Sequence, residues 1–175
     1  MQLLESAEKR SRILGVPHMG WDDGAALFTL TFALAAGAGS FLAIDAGAGV
    51  GFSTLWILAA LEQLKVPARL VAIESLDQRA AELEKTLKSA QPEHTRVEVV
   101  KGDALTYLEG LGEGTVNLAF VDVEKPSYPK AFGILASRLK AGGVAAFHNA
   151  YMHWAGRVAE EAVKLGWPTT VVPTE

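Results

Sequence analysis

The sequence of 175 residues contains no cysteine. This absence excludes disulfide bonds, thiolate metal sites and a cysteine nucleophile, and it agrees with a cytoplasmic location. The sequence also has no excess of positive charge, since it contains 16 lysine and arginine residues and 20 aspartate and glutamate residues. The composition therefore does not indicate a nucleic-acid surface. The charged, amphipathic stretch 1–14 lacks the apolar segment of a signal peptide, so we expect a cytoplasmic protein.

Charged residues are also absent from the run 24–44, which is long enough to span a bilayer. The Gly-Ala-Gly-Ser segment at 37–40 interrupts this run and divides it into a helix and a short strand. Asp22 and Asp23 precede the run, as is usual at the N-terminus of a soluble helix. The pattern therefore predicts no membrane span.

Apolar strands alternate with helical patterns along the chain, without a linker or a repeat. The predicted strands are 41–44, 69–74, 97–101, 116–122, 143–149 and 169–173. The predicted helices between them are 52–64, 77–90, 104–108, 128–139 and 153–165. Such alternation indicates a mostly parallel sheet with helices on both faces. We predict a single α/β domain, 1–175, of the doubly wound Rossmann-like type with a six-stranded sheet.

The first predicted strand ends at Asp45 and leads into a turn that contains Gly47, Gly49 and Gly51. Glycines allow the backbone to pass close to a ligand, and the N-terminus of the following helix offers free N–H groups to an anion. A dinucleotide site would need its third glycine at the position of Phe52. Asp45 would repel a pyrophosphate, but it can pair with the cations of S-adenosylmethionine. We therefore predict that cofactor, and a glycine-rich turn without a ligand stays the alternative.

Acidic and basic residues stand at the carboxyl ends of the predicted strands. Four strands end in or just before Asp45, Glu74, Asp122 and His148, and Asp103 follows another. In an open parallel sheet these ends share one edge, where ligands bind. Glu74 suits a carboxylate that accepts both ribose hydroxyls of the cofactor. Asp103 has two interpretations, which stay open: it accepts from the adenine amino group, or it is the N-cap of a helix that begins at Ala104.

A further motif follows the fourth predicted strand, where Phe120, Asp122, Lys125 and Tyr128 have the spacing F-x-D-x-x-K-x-x-Y. With the glycine turn, this segment resembles the class I S-adenosylmethionine-dependent methyltransferases, and among them the cation-dependent O-methyltransferases of catechols and caffeoyl thioesters. The resemblance covers residues 19–149. It implies that Asp122 is a metal ligand and that Lys125 is the general base.

The resemblance also implies a set of cofactor contacts. Ser53 would help to hold the methionine carboxylate, and the loop with Met19 and Gly20 would touch the methionine part, with an ordinary surface loop as the alternative. The predicted cofactor-binding residues are Met19, Gly20, Asp45, Gly47, Gly49, Ser53, Glu74, Asp103, Ala104 and Asp122.

The pair His148 and Asn149 departs from this family, which has Asp-Asn there to complete its metal site. The predicted metal ligands are Asp122, His148 and Asn149. Imidazole favours zinc, nickel or manganese over magnesium. We expect the site to be empty or weakly occupied, because a carboxylate has been lost, and a bound divalent ion is the alternative. Without an ion, His148 would replace Lys125 as the catalytic base.

The predicted activity is methyl transfer from S-adenosylmethionine to a hydroxyl of a small acceptor molecule. Methylation of nitrogen or carbon and non-catalytic binding of an adenosine nucleoside are alternatives, and the glycine spacing counts against a dehydrogenase. We expect the antiparallel seventh strand of the family to be missing. The prolines that bracket 169–173 discourage further pairing there, and the apolar helices nearby favour a homodimer. Neither nucleic acid nor a membrane is an expected partner.

Overall fold

The sheet of the protein is parallel throughout. The computed structural model describes residues 1–150, 152 and 155–174. Its strands are β1 (Phe41–Ala46), β2 (Ala68–Glu74), β3 (Thr95–Lys101), β4 (Val116–Val121) and β5 (Leu139–Phe147). They lie in the order β3-β2-β1-β4-β5. The order reverses between β1 and β4, the switch point at which doubly wound folds bind ligands, and this confirms the predicted fold class.

Helices cover both faces of this sheet. They are α1 (Gln2–Leu14), α2 (Trp21–Ala35), α3 (Phe52–Leu64), α4 (Asp77–Ala90), α5 (Ala104–Glu109), α6 (Tyr128–Arg138) and α7 (Gly156–Lys164), with a 3₁₀ turn at Lys125–Ser127. Leu70 and Ala72 of β2 pack in the core beneath α1 to α4, whereas Val71 and Ile73 pack in the core beneath α5 to α7. The strand is therefore apolar on both faces, as a covered parallel sheet requires.

The predicted sixth strand, 169–173, is not formed. Pro168 and Pro173 remove backbone donors beside the segment. Val171 and Val172 are 57% and 64% exposed, so burial does not stabilise a strand either. The prediction of six strands is therefore wrong, and the sheet of the described residues has five. The helix predicted over 153–165 is present as α7, although its predicted first residue, His153, lies outside the described residues.

The strand β5 begins earlier than predicted. Its first residue, Leu139, pairs with Val116, whereas Val144 pairs with Leu118, so β5 bulges between the two pairs. Gly142 lies in this bulge with a φ of 80°, a conformation that glycine adopts without strain. The glycines at 142 and 143 thus lie inside the strand, which is why the pattern placed its start too late.

The uncharged run 24–44 divides between α2 and β1 as predicted. Gly24, in the first turn of α2, lies against Trp56 of α3, where an added Cβ would be 2.2 Å from the indole nitrogen. This close approach fixes α2 against α3. Within the described part of the chain, no helix is long and apolar enough to cross a membrane.

The carboxyl ends of β1, β4 and β5 meet at one edge. Val121 is paired with Ala46 on one side and with Phe147 on the other. Asp122 and His148 therefore follow directly after paired strand ends. The N–H of His148 extends this ladder by donating to the carbonyl of Val121 over 3.1 Å. The strand register thus places the side chains of Asp122 and His148 next to each other.

Candidate active site

The glycine turn after β1 lies against the end of β4. Gly47, Gly49 and Gly51 have φ angles of 91°, 57° and 101°, in the region that favours glycine. An added Cβ on Gly47 would lie 2.4 Å from the carbonyl oxygen of Asp122, and one on Gly51 would lie 3.0 Å from Leu83. The turn therefore requires glycine for space as well as for conformation, and it brings the start of α3 beside Asp122.

Asp45 is completely buried beneath this turn. Its Oδ2 accepts hydrogen bonds of 2.8 Å from the hydroxyl of Ser53 and 2.5 Å from that of Thr54, both in the first turn of α3. Its Oδ1 is buried without a hydrogen-bond partner among the described residues. Burial raises the pKa of Asp45 to about 6, although the two hydroxyls oppose this. Asp45 thus anchors α3 and keeps one oxygen available for a cation.

Glu74 closes the other side of the turn. Its side chain is almost fully buried, and its Oε2 accepts a 2.9 Å hydrogen bond from the N–H of Gly49. Its Oε1 accepts a 2.9 Å hydrogen bond from the N–H of Leu76, the N-cap of α4. Each carboxylate oxygen retains a second lone pair, so the carboxylate can still accept from a ligand.

Asp103 is exposed and forms the N-cap of α5. Its Oδ1 accepts from the N–H and from the hydroxyl of Thr106, each over 2.7 Å, and these bonds lower the pKa of Asp103. Of the two interpretations left open by the sequence, the capping role is the one visible in the structure. The buried Ala104 follows it as the first residue of α5.

A small open cleft lies beside the glycine turn. Its walls include Gly47, Gly49, Ser53, Met19, Phe120 and Asp122. Predicted cofactor residues from three separate parts of the sequence thus face one cavity. Gly20 does not line this cleft; it follows Met19 and is the N-cap of α2.

Lys125 is held at the end of β4 by a small polar network. Its Nζ donates to Oδ1 of Asp122 over 2.6 Å and to the hydroxyl of Tyr128 over 2.8 Å. Tyr128 in turn donates to the backbone carbonyl of His148 over 2.7 Å. Burial and the neighbouring carboxylate of Asp122 raise the pKa of Tyr128, so its hydroxyl stays a proton donor. The network connects the end of β4 to the end of β5.

The imidazole of His148 lies between two carboxylates. Its Nδ1 is buried 3.1 Å from Oδ2 of Asp122, off the line of a straight hydrogen bond, and its Nε2 lies 3.4 Å from Oδ2 of Asp23. Burial lowers the pKa of His148, but Asp122 and Asp23 outweigh this and raise it above its usual value. Conversely, burial raises the pKa of Asp122, but His148 and Lys125 hold it below its usual value. The geometry favours an imidazolium ion.

These contacts do not suit the predicted metal site. The two oxygens of Asp122 face Lys125 and His148, and both ring nitrogens of His148 face carboxylates. A divalent ion would need a neutral imidazole and an oxygen of Asp122 that no cation already contacts. Among the described residues, no group of three or more histidine, aspartate or glutamate side chains is arranged to hold a metal ion. The third predicted ligand, Asn149, turns the chain after β5 with a φ of 55°.

Asp23 is a site residue that the sequence alone did not reveal. The pattern marked it only as an acid at the start of a helix. Its contact with His148 joins elements that are far apart in sequence, and the one available signal was its place shortly after Met19 and Gly20.

Comparison with known proteins gives one family and several similar folds. A family model described as O-methyltransferase matches residues 14–168. The flavonoid 3',5'-methyltransferase of Vitis vinifera is 28% identical over 121 residues, which cover 66% of this chain and 49% of that protein. The match therefore spans about half the length of this curated relative.

Solved structures resemble the chain over most of its length. A protein from Corynebacterium glutamicum has a TM-score of 0.81 at 19% identity, over 91% of this chain and 79% of its own. The O-methyltransferase TomG from Streptomyces achromogenes, in complex with SAM, has a TM-score of 0.75 at 24% identity, over 94% and 78%. An O-methyltransferase from Bacillus cereus, in complex with SAH, has a TM-score of 0.76 at 20% identity, over 94% and 80%. At these identities the likeness concerns the fold.

Proposed function

Because the chain belongs to the O-methyltransferase family, we propose that it transfers the methyl group of S-adenosylmethionine to a hydroxyl of a small acceptor. One observation carries this proposal. Asp122 lines the cleft beside the glycine turn, and its carboxylate also holds Lys125. The place for the methyl donor and the group that handles the acceptor proton therefore meet at one residue. TomG and the Bacillus cereus enzyme, which contain SAM and SAH, support the choice of cofactor.

The residues around the cleft fit this cofactor. Gly47, which lines the cleft, has no space for a side chain beside the Asp122 carbonyl, and the start of α3 offers N–H groups to a carboxylate. Oδ1 of Asp45, which has no hydrogen-bond partner among the described residues, would accept from the ammonium group. Glu74 would accept from the ribose, Asp103 and Ala104 would contact the adenine, and Met19 and Gly20 would contact the methionine part.

The polar network at the end of β4 accounts for the chemistry of the acceptor. When bound, the cofactor supplies an activated methyl group for in-line displacement. Lys125, in its neutral form, takes the proton of the acceptor hydroxyl, and Asp122 stabilises the ammonium ion that results. Tyr128 keeps Nζ in place through its hydroxyl. The charges of the acceptor oxygen and the sulfonium cancel during transfer, so a site with little water favours the step.

We further infer that transfer does not require a divalent ion. Its place beside the acceptor is taken by the imidazolium of His148, which faces Asp122 and Asp23. A cation held in this way stabilises an acceptor oxyanion by Coulomb attraction. His148 is therefore better suited to act as a fixed positive charge than as the base, and Lys125 keeps the role of base.

Calorimetry and an activity assay test the proposed function. We expect S-adenosylmethionine and S-adenosylhomocysteine to bind with a stoichiometry of about one per chain, and NAD to bind far more weakly. Methyl transfer to a panel of catechols and flavonoids, followed by mass spectrometry, then identifies hydroxyl acceptors. Preferential binding of NAD, or methylation of amines but of no hydroxyl, would contradict the proposal.

We also propose that residues 1–175 act as one methyltransferase domain in a cytoplasmic homodimer. The lack of cysteine supports the location. Val163 of α7 and Leu165 just after it are 64% and 58% exposed, which is unusual for large apolar side chains unless they form an interface. Sedimentation should show a dimer that Val163→Lys weakens, and a monomer at high protein concentration would count against this.

A further inference from the structure

Asp23 joins three segments of the candidate active site. It is the third residue of α2, and its side chain is 23% exposed. Its Oδ2 accepts a 2.9 Å hydrogen bond from the N–H of Gly20 and lies 3.4 Å from Nε2 of His148. Its Oδ1 accepts a hydrogen bond from the hydroxyl of Thr174. One carboxylate thus contacts the loop before α2, the end of β5 and the segment after α7.

Helix capping alone does not account for this arrangement. An acid at the third helical position commonly accepts the N–H of the N-cap residue, and Asp23 makes this bond with Gly20. The same oxygen, however, also faces His148, whose other ring nitrogen lies 3.1 Å from Asp122. The imidazole is therefore held from both sides by carboxylates of different elements. Removal of either carboxylate would leave the ring with one ionic contact in place of two.

We propose that Asp23 is a positioning residue that couples the cofactor loop to the acceptor side of the active site. This inference rests on the proposed methyltransferase function. Met19 lines the cleft and Gly20 follows it, so a cofactor seated in the cleft fixes the N–H that Asp23 binds. The fixed carboxylate then holds His148 against Asp122. Asp122 in turn orients Lys125 for its reaction with the acceptor.

A double-mutant cycle tests this coupling by kinetics. Asp23→Asn keeps an oxygen for Gly20 and removes the charge that faces His148. We expect kcat to fall by about 10- to 100-fold, as is typical for a residue behind a reacting group, with little change in the KM of the cofactor. Asp23→Glu should restore part of the activity. In a His148→Gln background, Asp23→Asn should have little further effect, because the contact is already lost.

The adjacent acid gives a matched control. Asp22 is exposed and lies in the same turn of α2, so Asp22→Asn removes the same charge without touching His148. It should leave kcat unchanged. If Asp23 acts only as a helix cap, Asp23→Asn will lower kcat by the same factor in the wild-type background and in the His148→Gln background. This result would overturn the proposal.

Imidazole NMR tests the coupling without turnover. The His148 resonances are assigned by their loss in His148→Gln, and S-adenosylhomocysteine is then added. We expect the ligand to shift these resonances in the wild type and in Asp22→Asn, and to shift them much less in Asp23→Asn. Equal shifts in all three proteins would refute the coupling. A protein that shows the coupling but methylates no acceptor would refute the proposed function alone, so the two failures are distinguishable.

Discussion

Nζ of Lys125 lies 2.6 Å from Oδ1 of Asp122, at the wall of the cleft that also contains the glycine turn. The side chain of Lys125 is 23% exposed, so water screens this contact only in part. Tyr128 contacts the same Nζ through its hydroxyl. Transfer to a hydroxyl requires a proton acceptor that is held close to the methyl donor, and this position beside the proposed cofactor cleft suits Lys125 for that role.

Replacement of Lys125 should stop turnover without preventing cofactor binding. Lys125→Met removes the base and leaves the glycine turn and Glu74 in place, so kcat should fall by about 10²- to 10⁴-fold. The affinity for S-adenosylhomocysteine, measured by calorimetry, should stay the same. Lys130→Met is the control, since Lys130 is 64% exposed and pairs with the surface residue Glu109. A Lys125→Met enzyme with near-normal kcat would exclude the lysine as the base.

Glu74 is expected to contribute strongly to cofactor affinity. Its carboxylate holds the N–H of Gly49 and so maintains the shape of the turn, in addition to its proposed contacts with the ribose. Glu74→Ala should weaken binding of S-adenosylhomocysteine by about 1–3 kcal/mol, as for the loss of charge-assisted hydrogen bonds. Glu84→Ala, which removes an exposed acid from α4, serves as the control. Unchanged affinity in Glu74→Ala would show that the carboxylate only supports the turn.

The parts of the site that depend on local chemistry could be predicted from the sequence. A strand, a glycine turn and a helix start predict a cofactor loop, and Gly47 and Gly49 of this turn line the cleft. The fold class followed from the alternation of apolar strands and helices. The family assignment, made from the glycine turn and the segment of Asp122 and Lys125, is confirmed by the match over 14–168.

The parts that depend on distant contacts could not be predicted. The segment 169–173 has apolar residues of strand type, but strand formation needs a partner and burial, and Val171 and Val172 have little burial. Asp23 looked like a helix cap, and only the packing of α2 against the sheet brings it to His148. The sequence predicts His148 as a metal ligand or a base, which are common roles of histidine. It does not reveal the carboxylates of Asp23 and Asp122 on the two sides of the ring.

Asp45 should make the stability of the protein depend on pH. Its pKa is raised by burial from 3.8 to about 6 in the folded state, so the folded protein binds the proton more tightly than the unfolded chain. Its contribution to stability is therefore full below pH 3.8 and is lost as the pH rises to about 6. Asp45→Asn keeps an oxygen for Ser53 and Thr54 and cannot ionise. It should raise the free energy of unfolding at neutral pH, by at most on the order of 3 kcal/mol.

Urea denaturation at several pH values checks this expectation. The difference in the free energy of unfolding between the variant and the wild type reports on Asp45, because the other acids are the same in both proteins. The same variant should bind S-adenosylmethionine more weakly, because the carboxylate proposed to pair with the ammonium group is gone. Greater stability with weaker binding would identify Asp45 as a carboxylate buried for its ligand. If Asp45→Asn is less stable than the wild type at neutral pH, the raised pKa is not the main effect at this position.

His148→Asp should convert the enzyme into one that depends on a divalent ion. In the wild type, His148 and Lys125 face the oxygens of Asp122, so turnover should be unaffected by EDTA. The substitution removes the ring and places a second carboxylate beside Asp122 and Asn149, and such oxygen ligands suit Mg²⁺. The variant should lose turnover in EDTA and recover it with Mg²⁺ or Mn²⁺. His148→Gln loses the ring without gaining a carboxylate, so it should be impaired and should not respond to the ion. Wild-type turnover that EDTA abolishes and a divalent ion restores would show that the imidazole does not replace the metal.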